Sequence, residues 1–450
     1  MAKIVIIGAG LTGLSAAYHL ELAGYTDFKI FEKESSVGGL CRSVIQDGFT
    51  FDYTGHLLHI SNPYFQELIQ KFIGWDELNL IQRRSYVYSH QTYTNYPFQT
   101  NLYGLPTDVI TECIVGFINR PRSKSNSNFY QWALANFGYG LTRHFFAPYQ
   151  SKIFGYDIRK VTADWTGRFV PTTSIEQMIA GAISDQTDTV GYNANFFYPK
   201  TGGIFSWVNK FAKQIKTPIN TNHCVQKINL KQKTISFTNG QSEKYEYLIN
   251  TMPLDLCLKL VAPTSNLDFT TAQNKLICNS VINFNLGINR SDISDKHWIY
   301  FPEKEFPFYR LGFYHNFSPL LTPPSCSSIY GEFAYVNKGR NWQHQTLQLA
   351  LQKTKALFQI APDQILTEKI IPISHAYVIY NFWRAQNLPK LLNRLTQNQI
   401  YSCGRYGAWK YSSMQEAVLD GQTVISQILK KVEPQCHLKP LCPTMPTVMS

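Results

Sequence analysis

Ile4-Val-Ile-Ile-Gly8-Ala-Gly10-Leu11-Thr12-Gly13-Leu-Ser-Ala-Ala-Tyr-His-Leu20, followed after a short turn by Phe28-Lys-Ile-Phe-Glu32, decides the fold. The apolar run from Lys3 to Ile7 predicts a buried strand that leads into three glycines. Bare backbone there can turn tightly, approach a pyrophosphate and let the next helix pack close to the sheet. The phosphates then meet a helix N-terminus, whose free N–H groups and dipole favour negative charge. Glu32 closes the second strand where a carboxylate accepts ribose hydroxyls, and an acid there disfavours a 2′-phosphate. Strand, turn, helix and terminal acid agree on a dinucleotide-binding unit.

Beyond Glu32 and Lys33 comes Gly38-Gly39-Leu40-Cys41-Arg42. In FAD proteins of the amine oxidase and mutase type a second glycine pair followed by a basic residue passes under the flavin and its phosphates. Nicotinamide enzymes do not usually need one, so the expected cofactor is FAD, with Arg42 as a cation near the pyrophosphate or flavin.

Working outward, 450 residues with 44% hydrophobic and 14% aromatic side chains describe a globular chain of two or three domains. The strand starting at Lys3 leaves no room for a signal peptide, and no run of about 18 apolar residues exists to span a bilayer. The expectation is a cytoplasmic protein, peripheral at most to the inner face of the membrane. Nine cysteines, scattered from Cys41 to Cys442, form no CxxC pair and no Cys/His cluster, so neither zinc nor a disulfide framework is indicated. The net charge of +12 is spread along the chain. That distribution suits an anionic small substrate or a loose dock on anionic lipid better than a groove-reading nucleic-acid binder.

The expected fold class is α/β, with a Rossmann-like FAD-binding domain, a helical insertion and a second antiparallel-sheet domain. Residues 1–75, 191–265 and 396–432 are expected to form the FAD-binding domain in three pieces. Residues 76–104 supply strands of the sheet domain: the stretch from Arg83 to Tyr93 alternates, reading as a hairpin that ends at Tyr96-Pro97-Phe98. Residues 105–190 read as a helical insertion, with Ser127 or Asn128 as N-cap for a helix from Phe129 to Asn136. Residues 266–395 read as an antiparallel-sheet substrate domain in which short alternating strands dominate from about 275 to 385. A last strand and turn, Ile400 to Arg405, and a helix from Gln415 to Lys430 precede a proline-rich tail, 433–450.

Phe51-Asp-Tyr-Thr-Gly55-His56, followed by Tyr96-Pro-Phe98-Gln99-Thr-Asn-Leu, resembles the UDP-galactopyranose mutases. Matching blocks continue at Ala147-Pro-Tyr-Gln150-Ser-Lys152, Tyr192-Asn193, Asn250-Thr-Met-Pro-Leu254, Trp298-Ile-Tyr300-Phe-Pro-Glu303, Pro307-Phe-Tyr-Arg310 and Gly404-Arg405-Tyr-Gly-Ala-Trp-Lys-Tyr411. The resemblance covers about residues 1–430. It implies a flavoenzyme that isomerises UDP-galactopyranose and UDP-galactofuranose for surface polysaccharide synthesis, through a covalent adduct at N5 of reduced FAD, nucleophilic catalysis in which the cofactor carries the hard chemistry. On the same resemblance Arg310, Tyr377 and Tyr411 bind the diphosphate, Tyr96, Phe98 and Gln99 surround the uracil, Asn193 lies near the uridine or sugar, and Trp298 and Tyr300 line the pocket. His56 lies beside the flavin. Gly8, Gly10, Leu11, Thr12, Gly13, Glu32, Lys33, Gly39, Leu40, Arg42, Gly55, Val225, Gly404, Arg405, Ser413 and Met414 complete the FAD set. A UDP-hexose and a flavin reductant such as NAD(P)H or a reductase are the implied partners, with no nucleic acid and no stable membrane insertion.

The chain departs from the family pattern at several places. Thr54 stands where the family has the first glycine of Gly-Gly-His, which would stiffen or shift the flavin loop. Gln150, Phe154 and Phe317 replace an asparagine, a tryptophan and a tyrosine on the substrate side. The family's second pyrophosphate arginine falls on Phe169, with Arg168 adjacent. Losing one charge-assisted phosphate pair costs on the order of 1.5–3 kcal/mol. The alternatives are an FAD oxidoreductase of the amine oxidase or protoporphyrinogen oxidase type, which shares the cofactor motifs, and a non-catalytic flavin-binding relative.

Overall fold

Ile4–Ile7 is apolar at every position because it is the middle strand of a parallel sheet and is buried on both faces. The computed structural model describes residues 3–121, 128–167, 170–186, 194–261 and 269–432. The strands of this sheet run in the order Ile400–Ser402, Tyr247–Asn250, Ile4–Ile7, Phe28–Phe31, Ile219–Asn220, all parallel. Three distant stretches of chain therefore share one five-stranded sheet. The helix Leu11–Leu22 is buried over its first ten residues, sandwiched between the sheet and the closing helix Met414–Val432. Small residues allow that contact: a methyl on Gly421 would lie 2.6 Å from Ser15 Cβ. Ser15 Oγ also donates to Val418 O at 2.6 Å.

A second, seven-stranded sheet stands beside the first, in the order Ile365–Ile373, Ser280–Ile288, Ser327–Tyr335, Arg310–Gly312, Trp298–Tyr300, Ser85–Ser89, Thr92–Asn95. Its pairings are antiparallel except that of Trp298–Tyr300 with Ser85–Ser89. The hairpin formed by Ser43–Gln46 and Phe49–Asp52 joins the two sheets, and Asn283 Nδ2 and Tyr314 OH both donate to the Asp52 carbonyl. The chain is thus a mixed α/β fold built on a parallel and a largely antiparallel sheet.

The insertion contains the helices Thr107–Ile118, Phe129–Leu141, Ala147–Phe154 and Ile175–Ile183, with a π-helical turn over Thr142–Phe146. Asn128 caps the second of these by accepting the Gln131 N–H at 2.9 Å. That helix runs past the expected end at Asn136 to Leu141, but it kinks at Gly138, whose φ is +76°. The kink lets two helices cross at backbone distance, since a methyl on Gly140 would lie 2.4 Å from the Glu112 carbonyl.

Residues 275 to 385 form the expected antiparallel strands, of which Trp298–Tyr300 and Arg310–Gly312 are short and others longer than expected. They hold three nine-residue strands, Ser280–Ile288, Ser327–Tyr335 and Ile365–Ile373. An 18-residue helix, Arg340–Leu357, lies among them. Only Ala350, Leu351 and Thr354 of that helix are buried, so its apolar stripe is too narrow to announce a helix. The helix Phe382–Gln397 also goes unforeseen; Pro389 sits inside it and reads in sequence as a breaker.

Candidate active site

The first half of the site is a cradle of backbone. Gly8 has φ +97°, and a methyl on it would lie 2.4 Å from Thr251 Oγ1. One on Gly13 would lie 1.9 Å from Gly8 O. Gly10 forms a bridge with Gly38, and its Cα would meet a Gly39 methyl at 3.3 Å. Gly404, at φ +78°, closes on Thr12 in the same way. Leu11 and Thr12 open the helix here, and its first N–H groups face this concavity of bare backbone.

Glu32 is buried and accepts the Ala9 N–H at 2.8 Å and the Glu34 N–H at 3.0 Å, which fixes its carboxylate at the strand end. Val225 begins the strand Val225–Asn229, just after His223 donates its N–H to Glu32 O at 2.8 Å. Arg42 is anchored by Nε to Gly39 O at 2.8 Å and stacks over Tyr53 at 4.6 Å. Lys33 is mostly exposed and pairs with Glu34, while Leu40 packs with Val281 and Ile371. Ser413 and Glu416 form a reciprocal cap that starts the closing helix at the buried Met414.

Between cradle and cavity lies the Thr54-Gly55-His56 turn. Thr54 adopts φ +153°, a backbone region costly for a β-branched residue, at the position where the resemblance calls for glycine. Gly55 is required, because a methyl there would lie 2.1 Å from Tyr330 OH. Burial first, and then the Arg405 charge, lower the His56 pKa from its ordinary 6.5 to about 4, and its Nδ1 is buried without a hydrogen-bond partner. Arg405 donates to Ser412 O and Ala376 O at 3.0 Å and lies 4.7 Å from the Tyr411 ring and 5.4 Å from that of Tyr377. Its Nε is also buried and unpartnered.

The second half is a cavity of about 220 Å³ that is open to solvent on the side of the exposed Tyr411. Of the residues expected at the substrate, Tyr96, Gln99, Gln150, Phe154, Trp298, Tyr300, Arg310, Tyr377 and Tyr411 line it. Strand register sets its charged wall: Arg310 lies directly opposite the fully buried Glu332, so Nη2 and Nε reach Glu332 Oε1 at 2.6 and 3.2 Å. Tyr309 OH donates to the other oxygen of Glu332. Burial opposes a charge on Arg310, but the Glu332 carboxylate outweighs it and holds the guanidinium protonated. Burial pushes the Tyr377 phenol up to about 12, so it stays a donor. Tyr377 and Tyr411 are parallel, within 4°, at 6.4 Å. The Tyr411 N–H donates to Tyr380 OH at 2.8 Å.

Two expected substrate contacts lie one layer back. Phe98 is fully buried and stacks on Phe145, and Phe317 packs against His297, Trp298 and Tyr198. They support the wall rather than form it, because aromatic residues next to a binding motif in sequence are as often core as lining. Arg168 and Asn193 lie outside the described residues. Arg83 went unforeseen: it lines the cavity, is 4% exposed and stands 5.1 Å over the Tyr96 ring. The signal was the Arg83-Arg84 pair abutting an alternating strand. Glu332, a lone acid inside an apolar strand, carried an equally readable one.

Glycine cradle, ribose-facing acid and buried unpartnered nitrogens on His56 and Arg405 fit FAD, and together with the fold they define a flavoprotein of the two-sheet type. The chain belongs to the flavin containing amine oxidoreductase family, which matches residues 11–429. It binds FAD. A crystal structure of reduced UDP-galactopyranose mutase is similar over 96% of each chain, with a TM-score of 0.90 and 28% identity. The polyenoic fatty acid isomerase of Ptilota filicina is 33% identical over 97 residues, 21% of this chain and 19% of that protein. A 4,4′-diapophytoene desaturase (4,4′-diaponeurosporene-forming) of Staphylococcus aureus strain COL is 42% identical over 62 residues, 14% of this chain and 12% of that one. The chain therefore aligns with a fifth or less of the length of these curated relatives. Among the described residues no helix is long and apolar enough to cross a membrane, and no group of three or more His, Cys, Asp or Glu could hold a metal ion.

Proposed function

We propose that the protein is an FAD-dependent nucleotide-sugar isomerase that interconverts UDP-galactopyranose and UDP-galactofuranose, or a related UDP-hexose pair, for cell-surface polysaccharide synthesis. The observation that carries this reading is the convergence of Arg310, Tyr377 and Tyr411 on one aromatic cavity. The likeness to a UDP-galactopyranose mutase along both whole chains supports it. When bound and reduced, FAD supplies the electron-rich centre that meets the sugar's anomeric carbon.

The chain's own residues hold the substrate. Glu332 occupies one edge of the Arg310 guanidinium and leaves Nη1 for the diphosphate, where a charge-assisted bond stabilises departing UDP. Tyr377 and Tyr411 donate phenolic protons to the same group. Tyr96 and Tyr300, 5.1 Å apart, offer faces to the uracil, and the Gln99 amide reads its edge while Nε2 is anchored to Pro171 O at 2.7 Å. Arg83 supplies a second positive charge in the cavity lining.

An amine oxidase reading fits the cavity less well, because among the described residues no Asp or Glu lines it to receive a cationic amine. NAD(P)H or a reductase is the proposed source of electrons, and the cytoplasm the proposed location. The test is to incubate dithionite-reduced protein with UDP-galactofuranose and resolve the pyranose product by chromatography. Conversion only in the reduced state is expected. No conversion in either direction, with turnover of an amine or apolar substrate by oxygen, would place the chain among the oxidoreductases.

A further inference from the structure

The segment that carries Tyr377, just beyond the strand Ile365–Ile373, is out of step with its neighbour. Val281 pairs with Ile373, yet the next bridge joins Cys278 to Val378, so three steps along one strand face five along the other. The surplus residues form a bulge at Ala376 and Tyr377, and a bulge turns a side chain that regular pairing would send elsewhere. Asn279 stands opposite it and is fully buried. Its backbone N–H donates to Tyr377 O at 3.0 Å, and its carbonyl accepts the Ala376 N–H at 3.0 Å. The extra N–H that the bulge creates, on Tyr377, goes to Asn279 Oδ1 at 2.7 Å. The other end of the same amide donates to Ile153 O at 2.8 Å and Phe154 O at 3.0 Å, the last carbonyls of the helix Ala147–Phe154.

Only a short side-chain amide offers one acceptor and two donors at that reach. Asp lacks the donors, Leu lacks both, and Gln is one methylene too long. Tyr377 and Phe154 both line the cavity, so this amide ties together two chain segments of its wall. Arg405 Nη2 and Tyr406 OH close the outer side of the bulge on Ala376 O.

We propose that Asn279 is a positioning residue that aims the Tyr377 phenol into the cavity, and so sets the strength of the diphosphate contact on which the proposed function rests. It touches neither substrate nor flavin and acts through Tyr377.

Two measurements on FAD-loaded protein test this, one of them free of any ligand. The first is residue-resolved hydrogen exchange. In the wild type the Tyr377 amide is expected to be protected. In Asn279→Ala that protection is lost, while the Ala376 amide, bonded to the backbone carbonyl of residue 279, keeps its own. The second is UDP affinity in a double-mutant cycle. Asn279→Ala is expected to weaken the UDP Kd about tenfold, and in a Tyr377→Phe background to change it less than about twofold, because the two residues act as one unit. Asn279→Leu, which keeps the volume, should match Asn279→Ala and guards against loss of folding in the smaller variant.

A freely exchanging Tyr377 amide in the wild type overturns the proposal, with no variant needed. So does an Asn279 effect on Kd that is equally large without the Tyr377 hydroxyl. A wild type that binds no UDP overturns the functional reading instead, while the exchange measurement still decides how Tyr377 is held.

Discussion

The cofactor cradle and the substrate cavity grip by opposite means. The cradle is bare backbone whose centre is set by residues close in sequence, Gly8 to Gly13 and then Glu32, with Gly38, Gly39 and Gly404 closing on it, and its fit consists of what is missing from each Cα. The cavity is built of long side chains from at least five separate stretches, and its fit consists of what each is tied to behind the wall: Glu332 behind Arg310 and Asn279 behind Tyr377. A fault in the first region abolishes binding outright, whereas a fault in the second degrades it by the strength of one contact.

Gly13→Ala attacks the cradle at its tightest point, where the new methyl would lie 1.9 Å from Gly8 O. We expect the top of the roughly 1–3 kcal/mol cost of overpacking, and sometimes more. The protein should purify without flavin absorbance, and a variant that stays yellow with an unchanged Tm would erase the contrast between the regions. Arg310→Ala attacks the cavity instead. It should retain FAD but lose about 1.5–3 kcal/mol of charge-assisted binding, roughly 10- to 150-fold in kcat/KM. It should also melt earlier, because Glu332 is left buried without its cation. Arg310→Lys should recover part of the stability and little of the affinity, since an ammonium cannot serve carboxylate and diphosphate with one planar fork.

The boundary between the regions is expected to respond to pH. His56 has its pKa lowered from 6.5 to about 4 in the folded protein, chiefly by burial. A depressed folded value means that its contribution to stability is complete above 6.5 and is lost as pH falls toward 4. Melting curves of wild type and His56→Gln should therefore converge as pH drops through that window. Divergence there would mean the imidazole is charged in the fold. The smallest effect belongs to Thr54→Gly. Relief of roughly 1–3 kcal/mol of backbone strain is offset by about 0.5–1 kcal/mol of added chain entropy in the unfolded state. A modest rise in Tm is expected, and a clear fall would show that Thr54 is not strained.

Legibility in the sequence divides along the same line. The strand, turn and helix from Ile4 to Leu22 and the acid at Glu32 form as read, because their signals are local periodicity and glycine placement. The long helices Arg340–Leu357 and Phe382–Gln397 escape such a reading because one buries too few residues to show a period and the other contains Pro389. Phe98 and Phe317 resemble lining residues by motif, yet the core claims both. Arg83 was visible as half of an arginine pair beside an alternating strand and Glu332 as a lone acid in an apolar strand, but nothing in their neighbours names what each meets in the fold.

Sequence alone determined the nucleotide-binding unit, since tight turns and close backbone approach are dictated by residues within a few positions of each other. Tertiary structure alone decided the cavity: that Arg310 meets Glu332 follows from antiparallel register, and that Tyr377 turns inward follows from a bulge opposite Asn279. Pairing register and bulges depend on which strand lies alongside, and that is settled only when the whole sheet has formed.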